Sequence, residues 1–489
     1  MSYFVGIDVG TSATKAVLFD EVGSIIATAS EEYELIQPNN GWAEQRPLDW
    51  KNASINTLKE VVSKVDAKEV KGVGVSGQMH GLVLLDKDSK PLCNSIIWCD
   101  QRTQNEVNQI IDTVTKDKYI ELTLNAPNTS FTLSKLLWVK NNLPDIYSKI
   151  NKILLPKDYI NFCLTGNFAT DVSDASGTGY FDVPNRKWSS ELLETFEISE
   201  KLLPKVFQSS SSIGNITEEI SKITGLSTDT VVVAGAGDQA AAALGNGIVV
   251  ENNASISLGT SGVVFTAIDK PIYDKKGRTH TFCHAVDDMW HVMGVTQGCG
   301  LSVSWFKHNF ADNYSYKELD QNAEKITSDG VIFLPYLMGE RTPHLDSDCR
   351  GSFTGLSANQ NTFNLYRSVI EGVCFSLRDC FEVIKELNIC ISNFKVCGGG
   401  ANSKFWLQTL ADILESDLNI SENSESGALG VAMLSAVGSG IYPSVEIANK
   451  NMNSSNLSKV MFNKSNVNYY DKIYDVYKKL YSGIKNAML

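Results

Sequence analysis

Gly6-Ile-Asp-Val-Gly-Thr-Ser-Ala-Thr-Lys-Ala-Val-Leu-Phe-Asp20 returns later in the chain as Ser255-Ile-Ser-Leu-Gly-Thr-Ser-Gly-Val-Val-Phe-Thr-Ala-Ile-Asp269. Each run reads as an apolar strand, a Gly-Thr-Ser turn and a second apolar strand. Such a hairpin aims backbone N–H groups and hydroxyls at one spot, which suits an anionic phosphate. One copy in each half predicts two similar domains facing a nucleotide across a cleft. Gly10, Thr11, Ser12 and Lys15 are the expected contacts from the first copy, and Gly259, Thr260 and Ser261 from the second. Asp8 stands where the copy has Ser257. A carboxylate beside a phosphate turn repels the ligand unless a divalent cation lies between them, so Mg²⁺ is implied.

The chain of 489 residues exceeds what one hydrophobic core serves, and two domains are the natural expectation. A net charge of −13 disfavours nucleic acid or an acidic membrane surface as the main partner. No secretory signal is expected, because Met1-Ser-Tyr-Phe-Val leads straight into a strand. The apolar stretch from Thr230 to Val250 is interrupted by Asp238, Gln239, Asn246 and glycines, so no membrane span is expected. The ten cysteines show no CxxC spacing and read as reduced, with the cytoplasm as the expected compartment. The six histidines lack zinc-site spacing.

Strands are expected over Phe4–Asp8, Lys15–Phe19 and Ser24–Ser30, a helix around Leu48–Val65, and a strand over Lys71–Ser76. Gly72-Val-Gly-Val-Ser-Gly77 matches a dinucleotide fingerprint in spacing only. That fingerprint works between a strand and a helix, and here the glycines alternate with valines inside a strand. It is rejected. Residues 90–225 read as elaboration on the first domain, and a hinge is expected near residues 246–254. The second domain opens near Asn253 and closes with helices over Asn364–Leu387, Asn402–Glu415 and Gly427–Val437. Tyr470, Ile473, Tyr474, Tyr477, Leu480, Tyr481 and Ile484 form one stripe of a final helix.

Gly398-Gly-Gly-Ala-Asn-Ser403 joins a strand to a helix, and Gly399, Gly400 and Asn402 there would let the backbone approach a phosphate. In Gly235-Ala-Gly-Asp-Gln239 an aspartate follows a buried strand at a sheet's carboxyl edge, where ligands of α/β proteins gather. An isolated Asp at a helix start is more often a cap. Its flanking glycines and the nearby nucleotide hairpins favour catalysis. Phosphoryl transfer to an alcohol needs a base and a metal-side carboxylate, and Asp238 and Asp8 supply them. GxxxxGK[ST] is absent, which excludes a P-loop enzyme.

Two long runs carry a family resemblance. Ser130-Phe-Thr-Leu-Ser-Lys-Leu-Leu-Trp-Val-Lys-Asn141 is similar to the first signature of the FGGY carbohydrate kinases. Gly351-Ser-Phe-Thr-Gly-Leu356, followed by Asn364-Leu-Tyr-Arg-Ser-Val-Ile-Glu-Gly372, is similar to the second. The resemblance implies an α/β fold of two actin-like, ribonuclease H-like domains closing over a nucleotide cleft. The expected boundaries are 1–248, 254–445 and a helical tail, 446–489, on the second domain.

The branch it resembles most phosphorylates D-xylulose at O5. The supporting runs are Ser76-Gly-Gln-Met-His-Gly81, Trp98-Cys-Asp-Gln-Arg102, Leu155-Pro-Lys-Asp-Tyr159 and Phe333-Leu-Pro-Tyr-Leu-Met-Gly-Glu-Arg-Thr-Pro-His344. The resemblance implies ATP and Mg²⁺, with Met79 and His80 on the sugar, Asp238 as base, and Asp8 with Asp238 on the metal side. Two positions depart from that branch. Gln239 stands where Asn is usual and is expected beside the sugar, and Trp42-Ala-Glu-Gln-Arg-Pro47 carries Arg46 where Asp is usual. Rival readings are a kinase of another ketose, polyol or sugar acid, an actin- or chaperone-like ATPase, and an inactive sugar sensor. A homodimer is left open.

Overall fold

The structure, a computed structural model, describes residues 1–421, 425–453 and 458–487. Its first sheet contains β1 (Tyr3–Val9), β2 (Ala13–Asp20), β3 (Ile25–Glu32), β4 (Val70–Gly77), β5 (Ser212–Asn215), β6 (Val231–Val233) and β7 (Ala236–Gly237). The order is β5-β6-β4-β1-β2-β3, with β7 also pairing to β4. The second sheet contains β8 (Asn253–Leu258), β9 (Gly262–Ile268), β10 (His280–Cys283), β11 (Trp290–Thr296), β12 (Asn393–Cys397), β13 (Leu418–Ile420) and β14 (Ser458–Val460). Its order is β10-β11-β9-β8-β12-β13-β14. In each sheet an antiparallel meander is extended on the side of its first strand by two parallel strands and then an antiparallel edge strand. The repeat in the sequence is therefore a repeat of topology.

The two hairpins differ in their turns. Val9 pairs with Thr14 in the first, whereas Leu258 pairs with Gly262 in the second, a turn one residue shorter.

Helices cover both sheets: α1 (Pro47–Val62), α2 (Asp238–Gly245), α3 (Thr362–Glu386), α4 (Lys404–Leu414), α5 (Ser426–Gly438), α6 (Val445–Met452) and α7 (Lys464–Ile484). Trp50, Leu58, Val61 and Val62 of α1 are buried with Val5, Ile7, Val73 and Val75 on one face of the first sheet. On the second sheet, α3, α4 and α7 share one core, into which Tyr470, Tyr474 and Tyr477 insert. No helix among the described residues is long and apolar enough to cross a membrane.

One difference from the sequence reading concerns α5 and α6. Their position in the chain groups α5 with the second domain and α6 with a tail on that domain. Both lie instead on the first sheet, where Ala428, Leu429, Ala432 and Met433 of α5 and Ala448 and Met452 of α6 are buried with Phe4, Val17 and Phe19. Residues 454–457 and 488–489 of the expected tail lie outside the described residues.

Glycine explains the placement. A Cβ at Gly6 would stand 1.9 Å from the Ala428 carbonyl oxygen, and one at Gly74 would stand 2.1 Å from that of Val431. Gly430 of α5 meets the Ala241 carbonyl of α2 in the same way, at 2.0 Å. The glycines alternating with valines in β4 thus form the seat of a helix.

Gly6→Ala should lower stability by about 1–3 kcal/mol, because backbone must move to admit the methyl group. Gly483→Ala, in a helix where a Cβ meets nothing within 4 Å, should leave stability unchanged or raise it. Urea unfolding midpoints of the two variants test the contrast.

Candidate active site

Both Gly-Thr-Ser hairpins are braced from behind. The Gly10 carbonyl accepts from Tyr33 Oη at 2.5 Å and from Gln78 Nε2 at 3.3 Å. Gln45 Nε2 donates to the Thr11 carbonyl at 2.6 Å, and the Tyr33 N–H to the Ser12 carbonyl at 3.2 Å. In the second hairpin the Gly259 and Thr260 carbonyls accept the N–H groups of Gly300 and Leu301 at 2.8 and 3.0 Å. With the carbonyls engaged, N–H groups and hydroxyls are what the turns offer an anion.

Asp8 sits near the end of β1, paired across the strands with Lys15 and Ser76. Burial raises its pKa; the Ser76 hydroxyl and Lys15 pull it down, and Glu425 raises it. Lys15 Nζ lies 3.0 Å from Glu425 Oε1, so the first hairpin is tied to the residue preceding α5. Gly427 brings the start of α5 against the Asp8 carboxyl, where a Cβ would be 3.3 Å from Oδ2.

Asp238 is the first residue of α2, and Gly237 takes the cap position. Its Oδ1 accepts the Gln239 N–H at 2.7 Å. Burial, and after it the charge of Asp8, push the Asp238 pKa up to about 7. A carboxyl whose ionisation is disfavoured by a neighbouring carboxyl suits a divalent cation shared by the two. Among the described residues no cluster of three or more His, Cys, Asp and Glu is placed to hold a metal. Two carboxylates completed by substrate phosphates are a usual Mg²⁺ donor set, so the residues present fit that ion.

A cavity of about 240 Å³ lies beside Asp238 between the two halves of the chain. Met79, His80, Asp238 and Gln239 line it from the first half, as does Ser261 from the second hairpin. His80 has φ 70°, a left-handed conformation unusual for a non-glycine residue. Thr132 Oγ1 at 3.2 Å and Lys135 Nζ at 2.9 Å donate to its carbonyl. Its Nδ1 stands 2.7 Å from the Gly177 carbonyl, which assigns the proton to Nδ1 and leaves Nε2 as an acceptor. Burial, and then Lys135, lower the His80 pKa to about 3, so the ring is neutral. The first signature-like run therefore supplies the lysine that holds the His80 peptide.

Trp98, Asn128, His280 and Arg341 also line this cavity, and residue-by-residue reading assigned them no role. Trp98 Nε1 donates to Thr11 Oγ1 at 2.9 Å, joining the cavity wall to the first hairpin. Arg341 makes no ion pair among the described residues. Its turn is fixed by Glu340, which accepts from Thr296 Oγ1 at 2.6 Å, the Gln297 N–H at 2.9 Å and the Arg341 N–H at 2.7 Å. The run containing Arg341 was visible in the sequence; the direction of its side chain was not.

Gly259, Thr260, Gly399, Gly400 and Asn402 line a second cavity, of about 1010 Å³. Tyr316, Gln321, Phe405 and Trp406 also line it. Gly398, at φ 91°, lets the strand-to-helix turn approach Leu258, whose carbonyl carbon would be 2.9 Å from a Cβ. Ser261 lies on the small cavity instead, and Gly10, Thr11 and Ser12 are among the lining residues of neither cavity.

Comparison with known proteins matches this arrangement to one family over nearly the whole chain. Residues 3–245 match the N-terminal domain model of the FGGY family of carbohydrate kinases, and residues 254–439 match its C-terminal domain model. The xylulose kinase of Lactococcus lactis is 38% identical over 486 residues, 98% of this chain and 97% of that one. Among solved structures, a ligand-bound xylulose kinase from Lactobacillus acidophilus superposes with a TM-score of 0.94 at 28% identity, covering 99% of both chains. A gluconate kinase from the same organism gives 0.93 at 29%, covering 99% of this chain and 98% of its own. The chain belongs to the FGGY family of carbohydrate kinases.

Proposed function

We propose that this kinase transfers the γ-phosphoryl group of ATP to the terminal hydroxyl of a pentulose, converting D-xylulose to D-xylulose 5-phosphate. The observation that carries the reading is the small cavity, where a neutral histidine and a methionine wall meet Asp238 beside both hairpins. The full-length likeness to xylulose kinases supports the choice of sugar.

In this reading His80 Nε2 accepts a sugar hydroxyl, and Met79 packs along the carbon chain. The hydroxyl to be phosphorylated lies against Asp238, whose carboxylate takes its proton as the oxygen attacks phosphorus. A carboxylate whose pKa has been raised to about 7 is a stronger base than an ordinary one and still releases the proton near neutrality. The hairpin turns cradle the phosphates, and the larger cavity receives the nucleoside, with Gly399, Gly400 and Asn402 at its edge. Asp8 and Asp238 would hold Mg²⁺, which supplies charge neutralisation on the transferring group. Closure about residues 246–254 excludes water that would otherwise compete with the sugar. Ten free cysteines accord with a cytoplasmic enzyme.

A sugar acid is the second reading. It is favoured by Arg341, the guanidinium that lines the cavity without an ion pair among the described residues. ADP release measured with D-xylulose, other pentuloses, glycerol and aldonates separates the two. D-xylulose should give the highest kcat/KM; a preference for an aldonate would replace the first reading by the second.

Asp238→Asn should lower kcat by roughly 10²–10⁴, because the proton acceptor and one metal-side carboxylate are lost together, while the hairpins and the larger cavity that receive the nucleotide are left unchanged. Turnover near that of the parent enzyme would remove Asp238 from the base role.

His80→Ala should raise KM for the preferred sugar at least several-fold while ATP binds as before, since one buried hydrogen bond is worth about 1–3 kcal/mol. Steady-state kinetics with each substrate varied in turn check this.

A further inference from the structure

Asp238 is preceded by Ala234-Gly-Ala-Gly237, and this segment rests on a buried polar cluster whose side chains do not line the small cavity. At its centre is Lys157, in the helix Pro156–Thr165. Lys157 Nζ lies 2.7 Å from Asp158 Oδ1, 3.0 Å from Asp171 Oδ1 and 3.8 Å from Asp174 Oδ2, and all four side chains are fully buried. It also donates to the Ala234 carbonyl at 3.2 Å, which Asn161 Nδ2 shares at 2.9 Å. Asp171 Oδ2 accepts from Ser173 Oγ at 2.6 Å and from Ser209 Oγ at 2.7 Å. Ser173 Oγ in turn accepts the Gly237 N–H at 3.1 Å, and the Ser209 carbonyl accepts that of Gly235 at 3.0 Å. The strand ahead of Asp238 is thus held by its pairing with β4 and, at the Gly237 N–H, by one hydroxyl whose orientation is set by a buried ion pair.

Stability alone gives little reason for this construction. Buried ion pairs are often neutral or worse than an apolar replacement of similar volume. Here three carboxyls surround one ammonium, and neither oxygen of Asp174 has a hydrogen-bond partner. A device that fixes the direction of a neighbouring group accounts for the cost. The tolerance at this place is small: a Cβ on Gly237 would already lie 2.9 Å from Met79 Cγ, so a shift of this backbone moves the wall of the small cavity together with Asp238.

We propose that Ser173, oriented by the Lys157–Asp171 pair, is a positioning residue that aims the Asp238 carboxyl at the acceptor hydroxyl. The proposal rests on the reading of Asp238 as the base. It assigns to the Leu155-Pro-Lys-Asp-Tyr159 run the task of holding the catalytic turn from behind.

Ser173→Ala in the full-length enzyme tests it, with kcat and both KM values normalised to folded protein by ATP binding. The expected result is a fall in kcat of at least about tenfold with KM for ATP within about twofold, as misplacement of a reacting group produces. A purely structural serine would lower the melting temperature and leave kcat per folded molecule intact, and that result overturns the proposal. Ser173→Cys, closer in volume but a weak acceptor, carries the same two outcomes where the alanine variant yields no folded protein. An inactive Asp238→Asn beside a fully active Ser173→Ala refutes the positioning role alone. An active Asp238→Asn refutes the base itself.

Discussion

The contact on which the rest of this molecule depends is made by atoms that are absent. Gly6 and Gly74 leave the first sheet bare of side chains along one track, and Gly430 and Gly245 do the same between α5 and α2. Two helices and two strands come so close that backbone meets backbone. Dispersion forces reward this proximity across the whole track, and a single methyl group would forfeit it. The consequence for the site is direct. Asp8 is the penultimate residue of β1, α2 begins at Asp238 and α5 begins beside Asp8, so the carboxyls, the Lys15–Glu425 pair and the first hairpin are all set by how deeply α5 seats.

Against this rigid base the site accumulates groups that would be unfavourable alone. Asp8 and Asp238 each have a raised pKa because burial removes water from them, and Asp8 adds its own charge to Asp238. His80 is held in a left-handed conformation by donors to its carbonyl, with its ring tilted against Phe131 at 5.1 Å. Lys135, one of those donors, has its own pKa lowered to about 7 by burial. Strain and mutual repulsion of this kind persist only where the surroundings over-determine them.

What could be read from the sequence was local. The hairpins, the strand nature of Gly72–Gly77 and the helix start at Asp238 all follow from alternation and turn chemistry within a dozen residues. The rejected dinucleotide fingerprint is instructive: its glycines have a purpose, but it is contact with α5, whose sequence lies far downstream. Arg46, the departure from the family run, proved to be a half-exposed residue paired to Glu34 and Asp49 on the surface. Its neighbour Gln45 keeps the contact with the first hairpin. The side-chain direction of Arg341, the cluster around Lys157 and the seat of α5 were illegible, since each depends on pairings between segments far apart in the chain. Periodicity encodes which face of an element is apolar; it does not encode which other element will cover that face.

The seating of α5 also sets an order of events for the chain as it is made. The first sheet is complete in its strands by residue 237, yet its glycine-lined face is filled only by residues 426–438 and 445–452. During synthesis at about 5–20 residues per second, that face waits tens of seconds for its cover. Meanwhile the second sheet, whose strands lie between, must be emerging and pairing. The nucleotide-facing edge of the first half therefore cannot mature before the second half exists, and a nascent chain cannot bind ATP productively with half a cleft. High sequence separation of this closing contact makes it a late, slow step in folding.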